Sequence, residues 1–150
     1  MLLDVDGVLN VLGPNRKTVR IGRRLYAPGY PLWPREFTKP FLRWAWREFD
    51  VVWCTAWRAR ANLIARWARL PDRPHLSDVG SRYKDWKLGA VIKSFGRLRS
   101  QKIVWVEDEF HDQTRMWATY RPNVLLVKTN YWEGVLPRHV EKIKNFIRFH

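Results

Sequence analysis

Two carboxylates two residues apart stand near the start of the chain, in Asp4-Val5-Asp6-Gly7-Val8. Side chains alternate along an extended segment, so Asp4 and Asp6 point the same way. At the C-terminal end of a central parallel strand, both would face the crevice in which open α/β sheets bind ligands. Paired hard oxygens in such a place suit Mg²⁺, which takes few carboxylates and completes its shell with water and substrate phosphate. A lone D-x-D is a weak signal because acidic turns are common, but the apolar strand before it and the glycine after it sharpen the reading.

A second acidic cluster, Glu107-Asp108-Glu109, follows directly on the apolar run ending at Val106. The plain alternative is an acidic helix start favoured by the helix dipole, a role that Asp112 fits. In a chain this basic, acidic residues gathered at two strand ends suggest a metal site. Thr55 lies between a strand and a helix. There its hydroxyl either donates to a phosphate oxygen, with helix N–H groups assisting, or serves as an ordinary cap. Lys87 lies on a helix beginning near Asp85-Trp86 and, taken alone, reads as a solvated lysine. Arg58, one residue past Trp57, is a further candidate phosphate contact, while Arg60, Arg66 and Arg69 on the same helix read as solvent-facing. His75, His111, His139 and His150 show no metal-ligand spacing and read as structural or surface residues. Cys54 reads as core.

These groups need a scaffold, and the pattern supplies one. Short apolar runs alternating with helical patterns predict an α/β fold with a parallel sheet. Strands are expected over residues 1–5, 50–54, 102–106 and 123–127, with a further short one over 75–79. Thr38 is expected to cap a helix that tolerates Pro40 in its first turn and buries Phe41, Leu42, Ala45 and Phe49. Trp57, Ala61, Ile64 and Ala68 form a helical stripe ended by Pro71. Leu88, Val91, Ile92 and Phe95 form another, stopped by Gly96. Residues 112–120 read as helical, and a last helix opens at Pro137 and buries Val140, Ile143 and Ile147. Residues 11–34 break the alternation. Their glycines and prolines around the strand-like stretch 18–21 predict a β-hairpin flap, made basic by Arg16, Lys17, Arg20, Arg23 and Arg24.

Taken in order, Asp4-Val5-Asp6-Gly7-Val8-Leu9-Asn10, Thr55, Lys87 and Glu107-Asp108 resemble the four-motif signature of haloacid dehalogenase superfamily phosphatases. The resemblance covers nearly the whole chain. Trp53-Cys54-Thr55-Ala56-Trp57 with Ala61-Asn62, Trp86-Lys87 and Trp105-Val106-Glu107-Asp108-Glu109 look like the small domains of RNA-repair, polynucleotide-phosphatase-like proteins and their phage or actinobacterial relatives. Glu107 departs from the family's commoner Asp, and Ala56 stands where a second Thr is common. The resemblance implies a Rossmann-like three-layer sandwich with a central parallel sheet and no large cap. It implies an aspartyl-phosphate formed on Asp4, with Asp6 as general acid and base. Mg²⁺ would be held by Asp4, the main-chain carbonyl of Asp6 and Asp108, with Glu107 in the outer shell. Thr55 and Lys87, and less centrally Arg58, would bind the phosphate oxygens.

The totals bound the substrate class. With 28 Lys+Arg against 14 Asp+Glu, the formal charge is +14, a field that attracts polyanions, nucleic acid above all. The expected substrate is therefore a phosphate at a nucleic-acid end, such as a 3′-phosphate, or a nucleotide. A nucleotidase acting on free mononucleotides and an inactive nucleic-acid-binding protein of the same fold are the alternatives. The length of 150 residues fits one domain. No stretch approaches the roughly 18–20 apolar residues of a membrane span, so no membrane partner is expected. One cysteine and no signal-like start suit the cytoplasm. The oligomeric state is left open, with a monomer as a plausible form.

Overall fold

The computed structural model describes residues 1–11, 19–21, 30–78, 80 and 85–149. It is an α/β structure with a four-stranded parallel sheet and five α-helices. The sheet comprises β1 (Leu2–Leu3), β4 (Val52–Trp53), β5 (Ile103–Glu107) and β6 (Val124–Lys128), in the order β4-β1-β5-β6. From β1 the chain goes first to one neighbour, β4, and then crosses to the other, β5. That reversal beside β1 is the switch point at which open α/β sheets form their ligand crevice.

The strands are shorter than, or shifted from, the predicted runs. β1 stops at Leu3 because the carbonyl of Val5 is taken by the N–H groups of Leu9 and Asn10, at 2.8 and 2.9 Å. The chain turns there instead of continuing the ladder. The strand expected over 75–79 reduces to a single parallel bridge between His75 and Trp53. Pro74, just before it, has no N–H to give to a ladder. Val79 lies outside the described residues.

Alternation along the strands sorts two cores. Leu3, Trp53, Val104, Val106 and Val127 face α1 (Thr38–Glu48), α2 (Asn62–Trp67) and α5 (Pro137–Phe149). Leu2, Cys54, Ile103 and Trp105 face α3 (Trp86–Phe95), and Trp117 of α4 (Asp112–Thr119) packs against that same cluster. Helices thus cover both faces. This is why the strands read as continuous apolar runs. Each fully buried Leu or Ile, such as Leu3 or Ile64, contributes roughly 1.5–3 kcal/mol.

The helices carry three corrections. Thr38 is inside the first turn of α1; Phe37 holds the cap position, and the Thr38 hydroxyl accepts from the N–H of Arg35 at 2.9 Å. The stripe from Trp57 is not one helix but a 3₁₀ turn, Arg58–Ala61, followed by α2. In α5 the buried stripe ends on Phe146, and Ile147 is 39% exposed. A further pair of strands, β2 (Val19–Ile21) and β3 (Tyr30–Leu32), forms the expected antiparallel hairpin. Its basic residues Arg16, Lys17, Arg23 and Arg24 lie outside the described residues.

Candidate active site

The loops leaving β1, β4 and β5 meet the start of α3 around a cavity of about 320 Å³. Its lining includes Asp4, Asp6, Thr55, Lys87, Glu107 and Asp108. The N–H of Asp4 bonds to the carbonyl of Val106 at 3.1 Å, which holds the buried Asp4 against the end of β5. Lys87 reaches in from α3, with Nζ 3.2 Å from Asp4 Oδ1 and 2.6 Å from Glu107 Oε2.

Its helix is anchored for that purpose. Asp85 caps α3 by accepting from the N–H of Lys87 at 2.9 Å, and its other oxygen accepts from Thr114 Oγ1 of α4 at 2.9 Å. Sequence reasoning left Asp85 unassigned, although an Asp just before a helical stripe is a recognised cap signal.

Carboxylate oxygens of Asp4, Glu107 and Asp108 lie within 4.8 Å of one another. Crowding and burial shape their charge. Burial first, then the Asp4 carboxylate, pushes the Glu107 carboxyl well above the usual range, against the pull of Lys87. Burial is also the main cause that raises Asp108, with Asp4 adding to it. For Lys87, burial favours the neutral amine, but Asp4 and Glu107 outweigh it and hold the ammonium above its ordinary value. Three carboxylates this close together, two of them buried, form a cluster of hard oxygen donors that could hold a metal ion.

Asp6 sits apart from that cluster and is exposed. Two donors fix its carboxylate: Asn10 Nδ2 at 2.8 Å to one oxygen and Trp57 Nε1 at 2.9 Å to the other. The sequence placed Asn10 in the first motif and Trp57 on a helical stripe, and paired neither with Asp6. Trp57 is 51 residues away in the chain, so no local pattern could pair them. Gly7 follows with φ +71, and a Cβ there would lie 2.6 Å from the Cβ of Asp108. The position therefore needs glycine both for conformation and for space. Thr129, just after β6, donates through Oγ1 to the Gly7 carbonyl at 2.9 Å. The N–H of Val135 reaches the Val8 carbonyl at 2.9 Å. The loop between them presents Trp132, 57% exposed.

Thr55 is buried at the end of β4, and its hydroxyl oxygen accepts from the N–H of Trp57 at 3.3 Å. The cap position of the 3₁₀ turn that follows is Trp57, with no side-chain cap hydrogen bond; a hydroxyl that accepts still has a proton to donate, and Thr55 lines the cavity. Arg58 is exposed, at φ 50, and is not among the cavity-lining residues. His111, read from sequence as structural or surface, is exposed and lines the cavity. Cys54 is fully buried, and burial pushes its thiol up, which makes it a poor nucleophile. Comparison with known families, with curated proteins and with solved structures finds no match to this chain.

Proposed function

We propose that this chain is a Mg²⁺-dependent phosphomonoester hydrolase of the haloacid dehalogenase type. It acts through an aspartyl-phosphate on Asp4 and takes its phosphate from the end of a nucleic-acid strand. The observation that carries this reading is the placement of Lys87 between Asp4 and Glu107 at the mouth of the sheet's switch point. A cation held against a nucleophilic carboxylate serves one chemistry well: it gathers the oxygens of an incoming phosphate beside the attacking oxygen.

In this reading an Asp4 carboxylate oxygen attacks phosphorus and the bond from phosphorus to the ester oxygen breaks. Asp6, oriented by Asn10 and Trp57, gives its proton to that leaving oxygen. It then takes a proton from the water that attacks the aspartyl-phosphate and frees Asp4. Lys87 and the Thr55 hydroxyl hold the phosphoryl oxygens. Asp4 and Asp108 with the Asp6 main-chain carbonyl would hold Mg²⁺, Glu107 lying in its outer shell, and the ion supplies charge neutralisation at the transferring group.

Two observations favour a polymer over a small molecule. The formal charge of +14 matches a polyanion, and among the described residues no second domain covers the cavity. The test is phosphate release from a 3′-phosphorylated oligonucleotide and from the matching mononucleotide, with Mg²⁺ and with EDTA. Mg²⁺-dependent release that favours the oligonucleotide and weakens with salt is expected. Better release from the mononucleotide makes the chain a nucleotidase. No release from either substrate or from an aryl phosphate removes the phosphatase reading. Asp4→Asn abolishes turnover while the fold survives.

A further inference from the structure

Beside the carboxylate-lined cavity lies a smaller one of about 230 Å³, lined among the described residues by Asp6, Ala56, Trp57 and Arg60. The two cavities share Asp6 and Ala56. Asp4, Thr55, Lys87, Glu107 and Asp108 line the larger and not the smaller. The division matches the two halves of a phosphoryl transfer. Nucleophile and leaving oxygen stand on opposite sides of phosphorus, and the group that protonates the leaving oxygen must lie within hydrogen-bond reach of it. Whatever is attached to the leaving oxygen therefore sits on the side of Asp6, away from Asp4.

We propose that the smaller cavity is the leaving-group subsite, and that it takes the terminal base of a nucleic-acid strand against the Trp57 ring, with Arg60 beside the adjoining phosphate. This rests on the phosphatase reading, since it uses Asp6 as the proton donor.

The chemistry of the lining selects that occupant. A half-buried indole offers an apolar, polarisable face, and every base has a π-face to meet it. The hydrogen bond from Trp57 Nε1 to Asp6 Oδ2, 2.9 Å long, fixes the ring before anything binds, so stacking orders little that was free. The same bond ties the base-binding surface to the acid: a leaving group seated on the ring is seated next to the proton it needs. Arg60 is exposed at the cavity's edge, and a guanidinium suits a phosphate oxygen.

The test compares Trp57→Phe with Trp57→Leu. Both remove the indole N–H, so both disturb Asp6 alike; only the leucine variant loses the aromatic face. The first readout is binding of a labelled single-stranded oligonucleotide ending in a 3′-hydroxyl, followed by fluorescence anisotropy with Mg²⁺ present. This is the reaction product, so no turnover intervenes. The leucine variant is expected to bind about fivefold or more weakly than the phenylalanine variant. The second readout is KM for phosphate release. The same ratio is expected on a 3′-phosphorylated oligonucleotide, and a ratio near one between the two variants on glycerol phosphate. Equal binding by the two variants overturns the subsite. A wild-type protein that binds the oligonucleotide, with the expected ratio between variants, but releases no phosphate overturns the enzyme and with it the leaving-group assignment. Circular dichroism of each variant shows that the comparison is made on folded protein.

Discussion

Lys87 Nζ lies 2.6 Å from Glu107 Oε2 and reaches Asp4 Oδ1 at 3.2 Å from the same nitrogen. One ammonium thus serves two carboxylates that burial has brought together from β1 and β5. Taking it away leaves those charges uncompensated, and breaking a buried pair in that way costs about 3–5 kcal/mol. Lys87→Met is therefore expected to lower the thermal midpoint and to abolish phosphate release. Adding Glu107→Gln removes one of the stranded carboxylates. The double variant is expected to be more stable than Lys87→Met alone, with a coupling of about 0.5–3 kcal/mol between the sites. Activity should stay lost. Urea unfolding of the four proteins measures the cycle; strict additivity would show that the pair contributes no coupling.

Gly7 connects the loop after Asp4 to Asp108. Alanine there must hold φ +71 and place its Cβ 2.6 Å from the Cβ of Asp108. The left-handed backbone alone costs roughly 1–2 kcal/mol, and relief of the clash requires Asp108 to move. Gly7→Ala is expected to lose stability by at least that amount and to need several-fold more Mg²⁺ for half-maximal phosphate release. An unchanged Mg²⁺ titration would mean that Asp108 does not hold the ion.

The sequence made the sheet legible and the loops less so. Val104-Trp105-Val106 and Val124-Leu125-Leu126 are apolar on both faces because helices cover both, and such runs announce buried parallel strands. The residues at the strand ends could be named for the same reason: their types change where the apolar run stops. Their partners could not. Trp57 meets Asp6 and Thr129 meets Gly7 across 51 and 122 residues, and such pairings follow from the crossover, not from local pattern. Ile147 was misplaced for a different reason. At helical spacing Phe146 and Ile147 compete for the same stripe, and Phe146 takes the place in the core cluster while Ile147 stays 39% exposed.

His139 ties the start of α5 to the chain before it. Its Nδ1 accepts from the N–H of Leu136 at 2.9 Å while its own N–H reaches the Leu136 carbonyl at 2.9 Å, so a histidine does the work of the glutamate in a capping box. Burial first, then Arg138 and Lys142, holds its pKa below the ordinary 6.5, with Glu133 opposing. Below pH 6.5 the unfolded chain takes up a proton that the folded one resists. The unfolded state then binds more protons, and stability falls as pH drops, levelling off beneath the folded pKa. His139→Gln keeps an acceptor and cannot titrate, so it is expected to flatten this part of the stability profile. His139→Ala loses the acceptor and is expected to cost about 1 kcal/mol near pH 7. Urea midpoints between pH 5 and 7 check both.

The bond from Trp57 to Asp6 also predicts how the need for an acid is divided among substrates. If Asp6 is the acid of the proposed reaction, a leaving oxygen of high basicity depends on its proton, whereas a nitrophenolate departs with little help. Trp57→Phe leaves Asn10 as the one side-chain donor shown on the Asp6 carboxylate and frees that group to rotate. Its kcat is expected to fall about tenfold further on an alkyl phosphate than on p-nitrophenyl phosphate, and Asp6→Asn should show the same asymmetry more strongly. Both substrates lack a nucleobase, so the ratio reads the acid and not the stacking face. Equal losses on the two substrates would place the effect of Trp57 in the structure of the loop and not in the orientation of Asp6.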